Sequence, residues 1–237
     1  IPMNGKLYGI GTGPGDSELL TLKAIRIIRQ CGVVAVPAVE SNDRTAFSVV
    51  EQYLTGKRIL ECRFSMEQNE EKRKRQRILV ADEICTVLES GTSVGFVTLG
   101  DPSVYSTYCY VDKLVSSRGF ETEIIPGVTS YSAVAALLNI PLCEGNQPLQ
   151  IIPAGCGEKI EDWIDLPGNK IIMKAGKNLR QILNMLERHG LSEQTKIVSR
   201  CTMTGQQIFE TISEFNQNGK TDQAGYFSVI FVRENKK

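Results

Sequence analysis

The sequence is poor in the residues that build metal centres and covalent staples. Among its 237 residues there is one histidine, His189, and the seven cysteines are scattered without a C-x-x-C pair. Because zinc and iron–sulfur sites need clustered Cys and His ligands, we expect no metal site. An odd number of widely spaced cysteines also favours reduced thiols over a disulfide framework.

Long apolar runs and an excess of charge of either sign are missing too. No apolar run approaches the ~20 residues needed to cross a bilayer, and 27 basic residues balance 27 acidic ones. These features predict no membrane span and no whole-chain attraction to nucleic acid. The first residues show no apolar core of a secretory signal, so we expect a cytoplasmic protein.

The first half of the chain alternates short apolar runs with helical patterns. Strand–helix alternation in which several strands lack a polar face is typical of a parallel sheet covered on both sides, which is an α/β domain. The five predicted strands are Leu7–Ile10, Val33–Val36, Arg58–Cys62, Val94–Leu99 and Thr122–Ile125.

The second half is richer in strands and predicts a mixed sheet, with helices at Ser130–Leu138 and Asn178–His189. Because the pattern changes after the fifth strand, we predict an N-terminal α/β domain over residues 1–128 and a C-terminal α/β domain over residues 129–237. The predicted strand runs are Gln150–Ala154, Lys170–Lys174, Lys196–Ser199, Ile208–Ile212 and Tyr226–Val232.

The densest run of charge, Glu70–Arg77, opens a predicted helix. Glu70 with Lys74 and Glu71 with Arg75 have the i,i+4 spacing of helical ion pairs. A solvated helix face is the simplest interpretation of such a run. The alternative is that some of these cations meet carboxylates of a substrate.

A glycine-rich turn follows the first predicted strand, with four glycines and a proline within residues 9–15. It does not fit the dinucleotide fingerprint G-x-G-x-x-G, because Pro14 and Asp16 stand where the third glycine should be. Asp16 suits the N-cap of a helix whose first residue is Ser17. The glycines predict bare backbone that lies close to a ligand or to another segment.

Two further turns follow later strands. After the fourth strand, Gly100 breaks the chain, Asp101 can cap and Pro102 can start a helix. Backbone N–H groups after Gly100, together with the Asp101 carboxylate, are suited to the carboxylate and ammonium of an amino acid. After the fifth strand comes Pro126-Gly127, and Thr129 can cap the next helix.

Taken together, the three turns resemble the motifs of the tetrapyrrole methylase family, the class III S-adenosylmethionine methyltransferases, over essentially the whole chain. Those motifs are Gly11-x-Gly13-Pro14-Gly15-Asp16-x-Glu18-Leu19-Leu20-Thr21, Leu99-Gly100-Asp101-Pro102 and Ile125-Pro126-Gly127-Val128-Thr129-Ser130. Within the family, the chain looks most like the members that methylate C20 of precorrin-2 or cobalt-precorrin-2 in cobalamin biosynthesis. The narrower resemblance rests on Val36–Ala38, Ala46–Val50, Leu99–Thr107, Pro141–Gly145 and Tyr226–Ser228.

The resemblance implies two α/β domains with the active site in the cleft between them, a homodimer, and S-adenosylmethionine as cofactor with S-adenosylhomocysteine as product. Methyl transfer to a bridge carbon needs alignment more than acid–base chemistry, so no catalytic residue is implied. The cofactor-binding residues it implies are Pro14, Leu99, Gly100, Asp101, Val104, Tyr105, Thr129, Ser130, Met173 and Cys201.

A tetrapyrrole substrate with eight carboxylates further implies several Arg or Lys side chains at the site. Candidates near predicted strand ends are Arg63, Lys174, Lys177 and Arg200. Cys201 departs from the family pattern, which often has glycine there, so only a backbone contact carries over. The alternatives are a related methylase acting on C11, C17, the uroporphyrinogen ring or a diphthamide precursor, a nucleotide-sensing module, or a nicotinamide-dependent oxidoreductase.

Overall fold

The computed structural model describes residues 4–39, 45–64, 69–155, 160–218 and 227–234. The chain divides into two compact units, Ile1–Thr129 and Ser130–Lys237. Each unit is built around a five-stranded sheet. Within the described residues, no helix is long and apolar enough to span a membrane, and no group of three or more His, Cys, Asp or Glu side chains is placed to hold a metal ion.

The sheet of the first unit has the order β3-β2-β4-β1-β5, and every neighbouring pair is parallel. The parallel sheet and the positions of all five predicted strands are confirmed. The strands are β1 (Leu7–Gly11), β2 (Val33–Val39), β3 (Arg58–Phe64), β4 (Val94–Thr98) and β5 (Thr122–Ile125).

Helices cover both faces of this sheet, and successive strand residues pack against opposite layers. Leu7 and Phe96 belong to the core under α3 and α4, whereas Ile10 and Val97 belong to the core under α1 and α2. This two-sided burial is the reason that the strands lack a polar face. The helices are α1 (Leu22–Gln30), α2 (Thr45–Val50), α3 (Glu70–Glu89) and α4 (Tyr108–Ser116).

Helix α3 begins at Glu70, as the charge run predicts, but its ion pairs differ from the expected ones. Glu70 contacts Arg73 at 2.7 Å and Arg77 at 2.9 Å, and the Arg77 guanidinium lies 3.8 Å from the centroid of the Tyr110 ring. Among the described residues, no ion pair joins the expected Glu70–Lys74 or Glu71–Arg75 partners. Glu70 lies instead on the side of α3 that faces α4, where Arg77 is held against Tyr110.

The second unit has a mixed sheet of order β6-β7-β10-β8-β9, as predicted. The β6–β7 pair is parallel, whereas β10 pairs antiparallel with both β7 and β8, and β8 pairs antiparallel with β9. The strands are β6 (Leu149–Pro153), β7 (Asn169–Met173), β8 (Thr195–Ser199), β9 (Gln207–Phe209) and β10 (Ser228–Val232).

The helices of the second unit are α5 (Ser130–Leu138), α6 (Ile160–Ile164), α7 (Leu179–Arg188) and α8 (Ile212–Asn218). The predicted strand that ran to Ile212 was too long, because Ile212 begins α8 and packs in the core with Phe215. Tyr226, at the start of the last predicted strand, lies outside the described residues. His189 follows α7, and its two ring nitrogens lie 3.3 Å from Glu161 and 3.2 Å from Asp165.

Candidate functional site

The three glycine-containing turns of the first unit lie side by side at one edge of its sheet. They follow β4, β1 and β5, which are neighbours in that order and all parallel. Ligands of open parallel sheets bind beyond the carboxyl ends of the strands, and this is that edge. The sheet topology therefore brings the turn after β1 together with two turns that lie far from it in the chain.

The turns after β1 and β4 are joined backbone to backbone. The Gly100 N–H donates to the Gly13 carbonyl at 2.7 Å, and the Gly13 N–H donates to the Gly100 carbonyl at 3.2 Å. Thr12 adds two bonds to the Thr98 carbonyl, one from its N–H at 2.9 Å and one from its buried hydroxyl at 3.2 Å. Beyond the parallel pairing of the two strands, Gly13 and Gly100 thus form a short antiparallel bridge between the turns.

The turns after β1 and β5 touch even more closely. A Cβ atom on Gly127 would lie 2.2 Å from the Gly100 carbonyl oxygen and 2.8 Å from the Gly11 Cα atom. A Cβ atom on Gly11 would lie 2.5 Å from the Gly127 nitrogen. No side chain fits at either position, so the prediction of bare backbone close to another segment is confirmed, and that segment is the neighbouring turn.

Asp101 makes the third contact, between the turns after β4 and β5, and the residue is 8% exposed. Its Oδ2 atom accepts a 2.9 Å bond from the Gly127 N–H, and its Oδ1 atom accepts bonds from the N–H and the hydroxyl of Ser103. The carboxylate therefore caps its own turn and holds the β5 turn in place. Each carboxylate oxygen accepts about two bonds, so Oδ2 keeps one acceptor position.

The predicted helix start at Pro102 is wrong. Residues 101–107 form turns, and α4 begins at Tyr108, whose N–H donates to the Ser106 hydroxyl at 3.1 Å. The Ser106 hydroxyl also lies 2.9 Å from the hydroxyl of Thr98 at the end of β4. Asp101 bonds the Ser103 N–H in a side-chain turn, which competes with helix formation, and Tyr105 interrupts the right-handed backbone with a φ of 48°.

Tyr105 and Tyr108 have opposite environments although both follow the same turn. Tyr105 is 40% exposed in its left-handed conformation, which is uncommon for a non-glycine residue and often marks a functional site. Tyr108 is fully buried, and its ring occupies the space that a Cβ atom of Gly9 would need. Burial, together with the Asp112 carboxylate, raises the pKa of the Tyr108 phenol, so that its hydroxyl remains a neutral donor to Asp112.

The first turn contains a second difference from the sequence prediction. Asp16 is an N-cap, since its carboxylate accepts a 2.8 Å bond from the Glu18 N–H, but the helix it caps is a single 3-10 turn over Ser17–Leu19. The α-helix α1 begins at Leu22, where the Thr21 hydroxyl accepts from the Ala24 N–H at 3.1 Å. Asp16 and Thr21 can both cap a helix and lie close together in the chain. The sequence pattern therefore does not show which of them begins the α-helix.

The other predicted residues of this edge lie beside the interlocked turns. Pro14 is buried next to Gly13, and Leu99 and Val104 are half-buried on either side of the Gly100 turn. Thr129 directly precedes Ser130, the first residue of α5. Pro14, Leu99, Gly100, Asp101, Val104, Tyr105 and Thr129 therefore gather at one edge of the first sheet.

Met173 and Cys201 belong to the second unit. Strands β7 and β8 flank β10 and are both antiparallel to it, so their carboxyl ends lie at the same edge. Met173 is the last residue of β7, half-buried, and Cys201 lies two residues after β8. Burial raises the pKa of the Cys201 thiol to about 11, so the group is a neutral, apolar side chain near pH 7.

The same edge of the second sheet holds a feature that the sequence did not predict. Lys174, Arg200 and Thr202 all have left-handed backbones, with φ values of 57°, 52° and 63°. The Arg200 guanidinium lies 5.8 Å from the centroid of the Phe227 ring, just before β10. No local signal marks these angles, because neither glycine nor asparagine stands at any of the three positions.

The sequence matches one protein-family model and is similar to several named relatives. The family model of tetrapyrrole (corrin/porphyrin) methylases matches residues 6–216. The probable cobalt-precorrin-2 C(20)-methyltransferase of Methanocaldococcus jannaschii is 34% identical over 233 residues, covering 98% of this chain and 97% of the relative. The cobalt-precorrin-2 C(20)-methyltransferase of Salmonella typhimurium is 32% identical over 235 residues, covering 98% of each chain.

Solved structures share the fold at lower sequence identity. A cobalt precorrin-4 methyltransferase superposes with a TM-score of 0.76 at 21% identity, covering 96% of this chain and 94% of the other. The uroporphyrin-III C-methyltransferase of Thermus thermophilus, complexed with S-adenosylhomocysteine, superposes with a TM-score of 0.69 at 20% identity, covering 97% of this chain and 98% of the other.

Proposed function

The chain belongs to the tetrapyrrole (corrin/porphyrin) methylase family, and we propose that it transfers a methyl group from S-adenosylmethionine to C20 of precorrin-2 or cobalt-precorrin-2. One observation carries the choice of C20 above all. Two relatives named for this reaction are more than 30% identical to the chain over 98% of its length.

The interlocked turns fit a cofactor with an amino-acid end. Gly100 is buried with a φ of 74°, yet nothing lies within 4 Å of the position that its Cβ atom would take. This space beside bare backbone admits a ligand where any other residue would project a side chain. The remaining acceptor position on the Asp101 Oδ2 atom suits an ammonium group.

Two backbone amides of this turn are already bonded within the protein and are not available to the carboxylate of a cofactor. The Ser103 N–H donates to the Asp101 carboxylate and the Val104 N–H donates to the Asp101 carbonyl at 3.2 Å, so these two amides already have partners. We propose that Val104 and Tyr105 line the carboxylate end of the cofactor, with Pro14, Leu99 and Thr129 around its other atoms. Ser130, Met173 and Cys201 remain predicted contacts.

When bound, S-adenosylmethionine supplies a methyl group on a positively charged sulfur. The residues of this chain then act mainly by position, since transfer to a carbon nucleophile needs an in-line approach in a water-poor site. Asp101 fixes the turns that carry the cofactor contacts, and its carboxylate is held by three protein donors. The buried thiol of Cys201 and the buried phenol of Tyr108 stay neutral, and we propose no role in proton transfer for either group.

We further propose that the protein acts in the cytoplasm as a homodimer.

The substrate is tested with purified protein and S-adenosylmethionine carrying a 13C methyl group, in separate reactions with precorrin-2, cobalt-precorrin-2 and uroporphyrinogen III. We expect one labelled methyl at C20 in the NMR spectrum of the product. A methyl at C11 or C17, or on uroporphyrinogen III alone, would assign the chain to another reaction of the family.

The cofactor is tested separately by calorimetry with S-adenosylhomocysteine, NAD and ATP. We expect binding of S-adenosylhomocysteine with micromolar affinity, a free energy of about −8 kcal/mol, and no heat from the two nucleotides. Binding of NAD without S-adenosylhomocysteine would favour the oxidoreductase alternative and overturn the methyltransferase.

A further inference from the structure

Arg200 differs from Lys196 and Arg188 of the second unit in what holds it. Lys196 pairs with Glu210, and Arg188 lies 3.7 Å from Glu161. Arg200 is half-buried, and none of the described Asp or Glu side chains forms an ion pair with it. Its Nε atom instead donates to the Thr204 carbonyl at 2.9 Å.

Two further contacts and the local backbone conformation fix the position of Arg200. The Arg200 N–H donates to the Phe227 carbonyl at 3.1 Å, which extends the β8–β10 pairing by one residue. The guanidinium carbon lies 5.8 Å from the centroid of the Phe227 ring, within the range of a cation–π contact. The backbone is left-handed at Arg200, which favours glycine and is strained for a residue with a side chain.

The loop after β8 is closed on itself and keeps Arg200 in place. The Met203 N–H donates to the Arg200 carbonyl at 2.9 Å, and the Thr202 N–H donates to the Gln206 side-chain oxygen at 2.8 Å. A long side chain loses conformational entropy when it is fixed in this way. A surface arginine without a carboxylate partner gains little to offset that loss, whereas a binding group profits because it is already ordered before the ligand arrives.

We propose that Arg200 is a preorganised receptor for one carboxylate of the tetrapyrrole substrate. The proposal rests on the proposed function and deepens it by naming a residue that determines substrate binding. Its Nε atom is engaged by Thr204, so the two Nη atoms provide the donors to the carboxylate. Arginine suits this role better than lysine, because its planar fork bonds both oxygens of a carboxylate at once.

Two ligands of the proposed reaction carry carboxylates: the macrocycle has acetate and propionate groups, and the cofactor has its methionine end. We assign Arg200 to the macrocycle, and the test separates the two. The probes are uroporphyrin, a stable tetrapyrrole with eight carboxylates, followed by its fluorescence, and S-adenosylhomocysteine, followed by calorimetry. The variants are Arg200→Met, Arg200→Lys and the control Arg188→Met, which removes a cation from the end of α7.

For Arg200→Met we expect uroporphyrin binding to weaken about ten-fold, as for loss of one charge-assisted pair, with unchanged affinity for S-adenosylhomocysteine. Arg200→Lys keeps the charge but loses the fork, so a smaller loss is expected. Arg188→Met should bind both probes as the parent protein does. With cobalt-precorrin-2 as substrate, the loss should appear in KM while kcat stays within about two-fold.

Equal uroporphyrin binding by Arg200→Met and the parent protein would overturn the proposal, as would a weakening confined to S-adenosylhomocysteine, which would assign Arg200 to the cofactor. A parent protein that binds no tetrapyrrole would instead overturn the proposed function. If Arg200→Met does not fold, as judged by its thermal transition, uroporphyrin binding by Arg200→Lys and Phe227→Leu tests the proposal instead. Both must weaken uroporphyrin binding relative to Arg188→Met, and parent-like binding by both would contradict the proposal.

Discussion

In the first unit, the turns after β1, β4 and β5 are made of glycine backbone in direct contact, whereas in the second unit the turns after β7 and β8 hold Lys174 and Arg200 in left-handed conformations. Glycine stands where two backbones approach so closely that a side chain has no room. Charged residues stand in the second unit although glycine would be less strained there. The comparison indicates that the first edge is built on close backbone contacts, whereas the second presents charged side chains.

The largest effect is expected from Gly127→Ala, which places a methyl group in the contact between the turns of the first unit. The new Cβ atom would lie 2.2 Å from the Gly100 carbonyl oxygen, and backbone atoms on both sides prevent relaxation. We expect the free energy of unfolding to fall by about 4 kcal/mol, the range of severe overpacking. Urea denaturation followed by circular dichroism measures the loss.

The matched control is Gly100→Ala in the adjoining turn. Its Cβ atom would meet nothing within 4 Å, but the φ of 74° strains an alanine, so we expect a loss of only about 1 kcal/mol. The two variants separate a steric need for glycine from a conformational one. Equal losses in both would show that the contact between the turns is looser than the structure indicates.

A smaller effect is expected from Asp101→Ala, which keeps the glycines but removes the carboxylate that links the turns. The half-buried Gly127 N–H loses its acceptor, whereas the N–H and hydroxyl of the exposed Ser103 form hydrogen bonds with water instead. We expect a loss of about 2 kcal/mol in the free energy of unfolding. Binding of S-adenosylhomocysteine, measured by calorimetry, should weaken as well.

Ser103→Ala is the control for Asp101→Ala, since it removes one donor to the same carboxylate and leaves Gly127 bonded. It should cost less than about 1 kcal/mol and leave S-adenosylhomocysteine binding intact. Undiminished cofactor binding in Asp101→Ala would contradict the assignment of this loop.

The first sheet could be predicted from the sequence because its signals are local and repeated. Strands such as Val94–Thr98 are short apolar runs bounded by turn residues, and their alternation with helices selects a parallel sheet. The helix starts were less predictable. Asp101 and Asp16 cap turns rather than α-helices, because the same side-chain bond to a nearby N–H serves either structure.

The candidate site was predictable where it depends on residue type and not where it depends on pairing in space. Four glycines in residues 9–15 indicate a close approach, but the partner of Gly11 is Gly127, which only the order β4-β1-β5 reveals. The cation–π contact between Arg200 and Phe227 likewise joins residues next to two paired strands, one just after β8 and one just before β10. Such contacts have no signature in a single sequence.

The smallest effect on stability, and the sharpest test of the comparison, is expected from Arg200→Gly. Glycine at a φ of 52° relieves about 1 kcal/mol of strain. The loss of the Phe227 and Thr204 contacts and the greater freedom of the unfolded chain offset this gain, so we expect a net change within about 1 kcal/mol. Urea denaturation and uroporphyrin binding are measured on the same preparation, and binding should fall about ten-fold.

Thr202→Gly is the matched control, because its φ of 63° lies in the same loop and its side chain carries no charge. Its stability should stay within about 1 kcal/mol of that of the parent protein, and it should bind uroporphyrin as the parent protein does. If Arg200→Gly lost more than about 3 kcal/mol, the size of a disrupted core, Arg200 would be holding the β8–β9 loop together. The contrast between a backbone edge and a side-chain edge would then fail, because both edges would have been shaped by stability alone.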